Sequence, residues 1–373
     1  MNGLEEIFKN SFSLLAADNT EIQKNINFKD LPTSAGLVLF TDSQDKPITL
    51  LTAANIRRTV KNKLTEQQEK SKRTDLKSIT AKIYYYICPC KFRLAITHYE
   101  TVKKLFAEKF KDYITLVSPW FLTIDFSDKI PFFSVTRKPS FKQEEKILGP
   151  FSSQKSATIF MTTLEDVFRL CRKSEFVNNP HHAQSCPYLQ MDSCCGVCAG
   201  KITTDEYKKL IYDAFLAADD IENAINKFQT EMQTAAKELQ FEKAAAFKKK
   251  IEKLSSLKKQ TYKWTGDLNN LKIIHVDKSF KIKPEGSKLK KQTYAVFTMN
   301  CFNVLDAGDF LKDGPAIIND VVKKSLEQLA NSPDSNSLER FSIITYFLYR
   351  SKPSGLWLNA QNQENFEKIK NFV

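Results

Sequence analysis

The spacing of apolar residues divides this chain into strand-like and helix-like stretches. Residues 35–41 form a short apolar run, 42–47 are rich in turn formers, and 48–52 form a second apolar run, which together predict a two-stranded hairpin. Asn55 is placed to cap a basic helix running towards Leu64. Residues 82–88 and 93–97 read as strand, and 99–110 as an amphipathic helix. The stretch 119–139 is aromatic and extended, and Gly149-Pro150-Phe151 marks a turn. Residues 156–171 are expected to be helical, with Ile159, Leu164, Val167 and Phe168 on one side. Thr204 and Asp205 open a helix that carries Tyr207, Ile211 and Phe215.

A narrower stripe follows. Ile221, Ile225, Phe228, Met232, Ala235 and Leu239 recur at helical spacing, and so do Phe241, Ala244, Ala245, Ile251 and Leu254. Residues 237–240 make the tight turn between them, so this is a helical hairpin. Two short helices bury too little to stand alone. The hairpin must pack on the rest of the chain or dock onto another protein, and docking is the favoured reading. Further on, 271–276 and 294–304 predict strands, 317–329 a helix and 331–337 a loop. The class is α+β multidomain, divided as an N-terminal extension (1–30), a small α/β domain (31–118), a linker and cysteine-cluster region (119–218), the hairpin (219–257) and a C-terminal α+β region (258–373).

Charged residues at 27% and hydrophobic ones at 42% of 373 residues describe ordinary globular material. No stretch approaches eighteen consecutive apolar residues, and the N-terminus lacks the pattern of a secretory signal, so a cytoplasmic protein without a membrane association is expected. The net charge of +13 calls for a polyanionic partner, and DNA is the expected one. Arg57, Arg58, Lys61 and Lys63 are the candidate DNA contacts, at the head of a basic stretch that continues through Lys70, Lys72, Arg73, Lys77, Lys82, Lys91 and Arg93. A solvated basic face is the plainer alternative.

Five of the eight cysteines cluster between Cys171 and Cys198, while Cys88, Cys90 and Cys301 sit in apolar surroundings and read as packing residues. A reducing compartment disfavours disulfides, so the cluster points to a metal. Cys171, Cys186, Cys194 and Cys198 are the candidate ligands, of a [4Fe–4S] cluster or of a tetrahedral zinc. Spacing alone does not separate the two. Cys195 is a spare thiol, and His181 and His182 are alternative nitrogen ligands, which leaves the fourth ligand open. Residues 178–192 are polar and offer little hydrophobic material, so a metal is the economical staple.

Three markers in order carry a family resemblance. Gly149-Pro150-Phe151 precedes a helix, Cys186, Cys194 and Cys198 are separated by seven and then three residues with Gly200 beyond, and Phe241-Glu242-Lys243-Ala244-Ala245 forms the core of the second hairpin helix. Residues 31–257 resemble the N-terminal half of UvrC, the incision subunit of bacterial nucleotide excision repair. The resemblance implies an iron–sulfur cluster in the cysteine loop. It also implies a UVR motif contacting UvrB through Phe228, Met232, Leu239, Phe241, Glu242, Ala244, Ala245 and Ile251.

At the N-terminus the resemblance implies a GIY-YIG nuclease domain, with paired tyrosines, an arginine and a glutamate that holds Mg²⁺ or Mn²⁺. This sequence departs from that pattern. Gly36-Leu37-Val38 has valine at the first tyrosine position, Thr49-Leu50-Leu51 lacks both tyrosine and glycine, and Thr52 replaces a lysine. Thr59 stands at the arginine position, beside Arg57 and Arg58, and Ala107 at the glutamate position, beside Glu108. Arg58 and Glu108 are thus the weak catalytic candidates. Tyr84, Tyr85 and Tyr86 are expected to alternate between core and surface. The resemblance places an RNase H-like nuclease after the hairpin, and residues 258–373 are read as its truncated remnant. Asp306 and Asp309 read as turn formers.

The expected function is a non-cutting accessory or regulatory factor of excision repair that binds DNA and docks on a UvrB-like protein. One alternative is an active, diverged excinuclease. Another is a metal-binding UVR adaptor acting on a protein, since the chain also resembles the adaptor of a bacterial protein-arginine kinase. That adaptor's cysteines form Cys-x-x-Cys pairs, and here only Cys195–Cys198 has that form.

Overall fold

A computed structural model describes residues 4, 8, 10–13, 28–65, 76–177, 180–311, 315–330, 332–361 and 365–373. Most of the expected N-terminal extension and Lys70, Lys72 and Arg73 lie outside them, as do the side chains of His181 and His182. Among the described residues no helix is long and apolar enough to cross a membrane. The architecture is mixed helix and sheet, built on three antiparallel four-stranded sheets.

The first sheet has the order β1-β4-β2-β3, from β1 (Asn10–Ser13), β2 (Gly36–Thr41), β3 (Pro47–Ala53) and β4 (Lys82–Ile87). Every residue of β2 is buried because helices cover both faces, which is why it reads as an unbroken apolar run. Val38 and Phe40 pack with Ile56, Val60 and Leu64 of α1 (Ile56–Thr65), whose N-terminus is capped by Asn55 Oδ1 accepting from the Arg58 N–H at 2.9 Å. Leu37 and Leu39 face the other way, towards Val102 of α2 (Lys91–Leu105). Gly36 is required here, since a Cβ would lie 2.0 Å from the Tyr86 carbonyl oxygen. Tyr84, Tyr85 and Tyr86 alternate between these two packed faces and not between core and solvent.

Residues 93–97 are helix, not strand. Helix α2 is gripped on two sides, which hides its periodicity: Leu94 and Val102 enter the first sheet's core, while Phe92, Ile96 and Tyr99 enter the core under the third sheet. Phe92 is the knob of that contact, edge-on to His275, Phe297, Phe347 and Trp357 at 5.1–5.4 Å between ring centres.

The middle sheet runs β6-β5-β7-β8, from β5 (Trp120–Asp125), β6 (Ser134–Thr136), β7 (Glu145–Phe151) and β8 (Gly266–Asp267). The expected turn at Gly149-Pro150-Phe151 is the end of β7. Opposite it the register with β5 shifts between Trp120 and Leu122, and a bulge is where a strand tolerates proline. Helix α3 (Gln154–Phe168) begins at a Ser153–Ser156 capping box. It buries Ala157, Phe160, Leu164 and Val167, spaced three, four and three apart, and this phase leaves Ile159 exposed, contrary to expectation. Helix α4 (Thr204–Asp219), capped by Thr203 and Glu206, adds Tyr207, Ile211 and Phe215 to the same core. Helices α5 (Ile221–Lys237) and α6 (Phe241–Ser255) form the hairpin.

The third sheet has the order β11-β10-β9-β12, from β9 (Ile273–Ile282), β10 (Lys291–Met299), β11 (Val304–Leu311) and β12 (Leu356–Asn359). Helices α7 (Pro315–Gln328) and α9 (Asn365–Phe372) cover one face, and α8 (Ser337–Leu348) with α2 the other. The expected strand over 294–304 is broken by a tight turn in which Asn300 Oδ1 accepts from the N–H groups of Phe302 and Asn303. Asp306 and Asp309 are not turn formers. They stand on β11 and hold the Arg93 guanidinium, Asp306 through Nε and Nη2 at 2.6 and 2.8 Å and Asp309 through Nη1 at 3.0 Å.

Candidate cysteine centre and hairpin

The cysteine loop hangs from the end of α3, where Arg169 turns the chain with a left-handed φ of +53°. Arg169 then organises the loop: its carbonyl accepts from the Cys195 N–H at 2.7 Å, and its guanidinium donates to the Asp192 carbonyl at 2.6 Å and pairs with the Asp192 carboxylate. Pro187 starts a short helical turn, and Gly196 and Gly200, both at φ near +70°, bracket a second. The result brings Cys171, Cys186, Cys194 and Cys198 together as buried thiols, with Cys195 half-buried beside them. Burial pushes the Cys171 thiol up to about 12, and the neighbouring sulfurs of Cys198, Cys194 and Cys195 add to it. Among the described residues no three of these sulfurs lie within 4.8 Å of one another.

The hairpin begins where Asp220 Oδ1 caps α5 through the Asn223 N–H at 3.0 Å. Its base belongs to the middle core: Ile225 and Leu254 are buried, Phe228 lies 5.9 Å from Phe168, and Lys253 donates to Asp166 at 2.9 Å. Phe228 and Ile251 pack against the chain's own core while staying half-buried, as are Met232 and Ala244. Glu242 and Ala245 are exposed. The tip is a different surface. Leu239 is 73% and Phe241 66% exposed. Leu239 takes φ +60°, closing a turn in which Gln240 N–H donates to the Ala235 carbonyl at 2.8 Å. Base and loop share a cleft of about 660 Å³, lined by Cys194, Cys195, Lys201, Lys227, Phe228 and Lys250.

The two weak catalytic candidates are not brought together. Arg58 is exposed on α1, on one face of the first sheet, and Glu108 lies in a turn beyond the end of α2, on the other face. Neighbouring Arg57 donates to the backbone carbonyls of Leu31 at 2.7 Å and Lys29 at 2.6 Å. Lys61 is exposed and Lys63 half-exposed on the same helix. The Arg93–Asp306–Asp309 cluster escaped sequence reasoning because its members lie over 200 residues apart.

Comparison with known proteins places this geometry. Residues 120–217 match the family model of the UvrC/Cho excinuclease middle domain, and residues 222–257 match the UvrB/UvrC motif. The UvrABC system protein C of Nautilia profundicola is 31% identical over 157 residues, 42% of this chain and 25% of that protein. The protein of that name from Cytophaga hutchinsonii is 26% identical over 262 residues, 67% of this chain and 43% of that protein. A third, from Helicobacter pylori, is 25% identical over 137 residues, 37% of this chain and 22% of that protein. The chain spans less than half the length of these curated relatives. No solved structure matches it. The cysteine loop and the hairpin thus fall within a UvrC-type middle domain followed by a UVR motif, and through them the chain is UvrC-like.

Proposed function

We propose that this protein is a non-cutting accessory factor of nucleotide excision repair, which docks on a UvrB-like protein through the hairpin tip and contacts DNA through its basic surface. The observation that carries this reading is the first sheet. Val38 and Thr49 occupy the strand positions where a GIY-YIG nuclease would present its tyrosines, and neither can act as a phenol. Arg58 lies on α1 and Glu108 in the turn beyond α2, two helices that pack on opposite faces of this sheet. The docking half is supported by the UVR match and by Leu239 and Phe241, which no element of this chain covers among the described residues. The DNA half is supported by Arg58, Lys61 and Lys63 along α1 and by the net charge of +13.

The same reading assigns a [4Fe–4S] cluster to Cys171, Cys186, Cys194 and Cys198. Four thiolates on one tetrahedral zinc, with bonds of about 2.3 Å, stand roughly 3.8 Å apart. The buried loop sulfurs alone do not separate zinc from a cluster, and the resemblance to UvrC favours the cluster. When bound, the cluster would cross-link the loop and hold its thiols ionised.

The test is incision of a lesion-bearing duplex by the anaerobically purified chain, with UvrB and Mg²⁺ or Mn²⁺ present. The expected outcome is no nicking, together with a supershift of the UvrB–DNA complex that Phe241→Ala abolishes. Nicking that Glu108→Ala removes overturns the non-cutting reading. No nicking and no supershift favours the protein-directed adaptor.

A further inference from the structure

A second candidate metal centre lies outside the cysteine loop, where α2 meets the third sheet. Cys90 is the N-cap of α2 and has no exposed surface. Burial pushes its thiol up to about 11, partly offset by the backbone N–H groups of Arg93 and Phe92 at the helix start. His275 and Asp277 are two apart on β9, so both project from the sheet face that α2 covers. One ligand atom from each of the three, the Cys90 sulfur, a His275 ring nitrogen and an Asp277 oxygen, lies within 4.8 Å of the others.

The state of His275 distinguishes this cluster from ordinary packing. Its ring is fully buried, stacked on Trp357 at 3.8 Å between centres and met edge-on by Phe92. Nδ1 lies 3.1 Å from the Leu356 carbonyl, which can only accept, so Nδ1 carries the proton and Nε2 presents its lone pair. That Nε2 has no hydrogen-bond partner. A buried polar atom left bare costs about 1–3 kcal/mol. An Nδ1–H bonded to a carbonyl is also the usual outer support of a metal-binding imidazole. Gly355 closes the site: at φ +68°, a Cβ there would fall 2.8 Å from both His275 Cε1 and Asp277 Cβ.

We propose that Cys90, His275 and Asp277 form a binding site for one Zn²⁺, coordinated through Sγ, Nε2 and a carboxylate oxygen, which clips the start of α2 to β9. Sulfur, imidazole and carboxylate together are a zinc donor set. With bonds of about 2.0–2.3 Å, three such ligands stand roughly 3.3–3.6 Å apart, inside the 4.8 Å that bounds the observed cluster. A fourth ligand would be water, since no other His, Cys, Asp or Glu joins the three among the described residues. A thiol nucleophile is a poorer account, because no substrate reaches a sulfur with no exposed surface.

The test uses the full chain, purified with its loop cluster intact, and loaded with Zn²⁺ or Co²⁺ alone. The expected result is one tightly held Zn²⁺ per chain, and sulfur-to-Co²⁺ charge-transfer absorption in the Co²⁺ form. Cys90→Ser, nearly isosteric, should lose both, and its circular dichroism shows whether it has folded. Asp277→Asn, at a half-exposed position, should weaken Zn²⁺ by more than about 100-fold, beyond the 10- to 100-fold usual for losing an outer supporting group. Iron content should be unchanged in both variants. Cys194→Ser should do the reverse, losing iron and keeping the zinc. A chain that takes up no Zn²⁺ overturns the proposal, as does Zn²⁺ that survives Cys90→Ser or that disappears only with Cys194→Ser.

Discussion

The cysteine loop and the junction between α2 and the third sheet both bury several ionisable side chains, and they are built in opposite ways. The loop collects its four thiols from 28 consecutive residues, Cys171 to Cys198, and has little apolar cover of its own. The junction joins Cys90 and Arg93 to His275, Asp306 and Asp309, residues about two hundred positions apart, inside an aromatic core. On the proposed reading the loop is held by what it binds, and the junction by the folds on either side. The loop should therefore fail locally when a ligand is removed, whereas the junction should fail with the whole chain.

The largest effect that would break this contrast is expected in the loop. Cys198→Ser should abolish cluster absorbance and destabilise the loop by more than about 4 kcal/mol, read as new protease cleavage between residues 171 and 200 while the rest of the chain stays folded. Cleavage spread evenly over the chain would show that the loop is no separate unit. At the junction, Arg93→Met should leave Asp306 and Asp309 uncompensated. The arginine side chain is only 10% exposed but Asp306 is 41% exposed, so solvent screening places the loss near the low end of the range, about 3 kcal/mol. Chemical denaturation should show it as one global transition moved to lower denaturant.

Glu165 sharpens the comparison because it lies on α3 beneath the loop. Burial raises its carboxyl to about 7, partly offset by Arg172. With a folded value above the unfolded one, its contribution is fully present below about pH 4.5 and is lost as pH rises towards 7, at about 1.4 kcal/mol per unit. Glu165→Gln should therefore stabilise the protein by about 2–3 kcal/mol at pH 8, leave it unchanged at pH 4, and flatten the slope between. Thermal unfolding across that window measures it. The smallest effect on stability belongs to the hairpin tip, where Leu239→Ala and Phe241→Ala should change it by less than about 0.5 kcal/mol. Each should still weaken capture of a UvrB-like protein by at least about tenfold.

How much of this was legible depended on range. The loop thiols, both hairpin helices, β2, β3 and the cap at Asn55 follow from neighbours in sequence, where a period or a turn former leaves its mark. Helix α8 and the first half of α2 did not show, whereas the second half of α2 lies within the helix expected over 99–110. Each is apolar on more than one side, and Ser337–Leu348 is rich in β-branched and aromatic residues, so the helical period is masked. Pro150 read as a turn because the bulge that accommodates it is made by a strand 28 residues upstream. Cys90 packs in the core as read, and its nearness to His275 had no mark in the sequence around it. Asp306 and Asp309 passed for turn formers, since their cation arrives from the first hundred residues.

Helix α2 has a consequence for what can be removed. It lends one side to the first sheet and the other to the third, with Phe92 seated among His275, Phe297, Phe347 and Trp357. A small sheet at one end of a chain would ordinarily be dispensable. Here it is a bearing wall: take away the first 118 residues and the last hundred lose their roof.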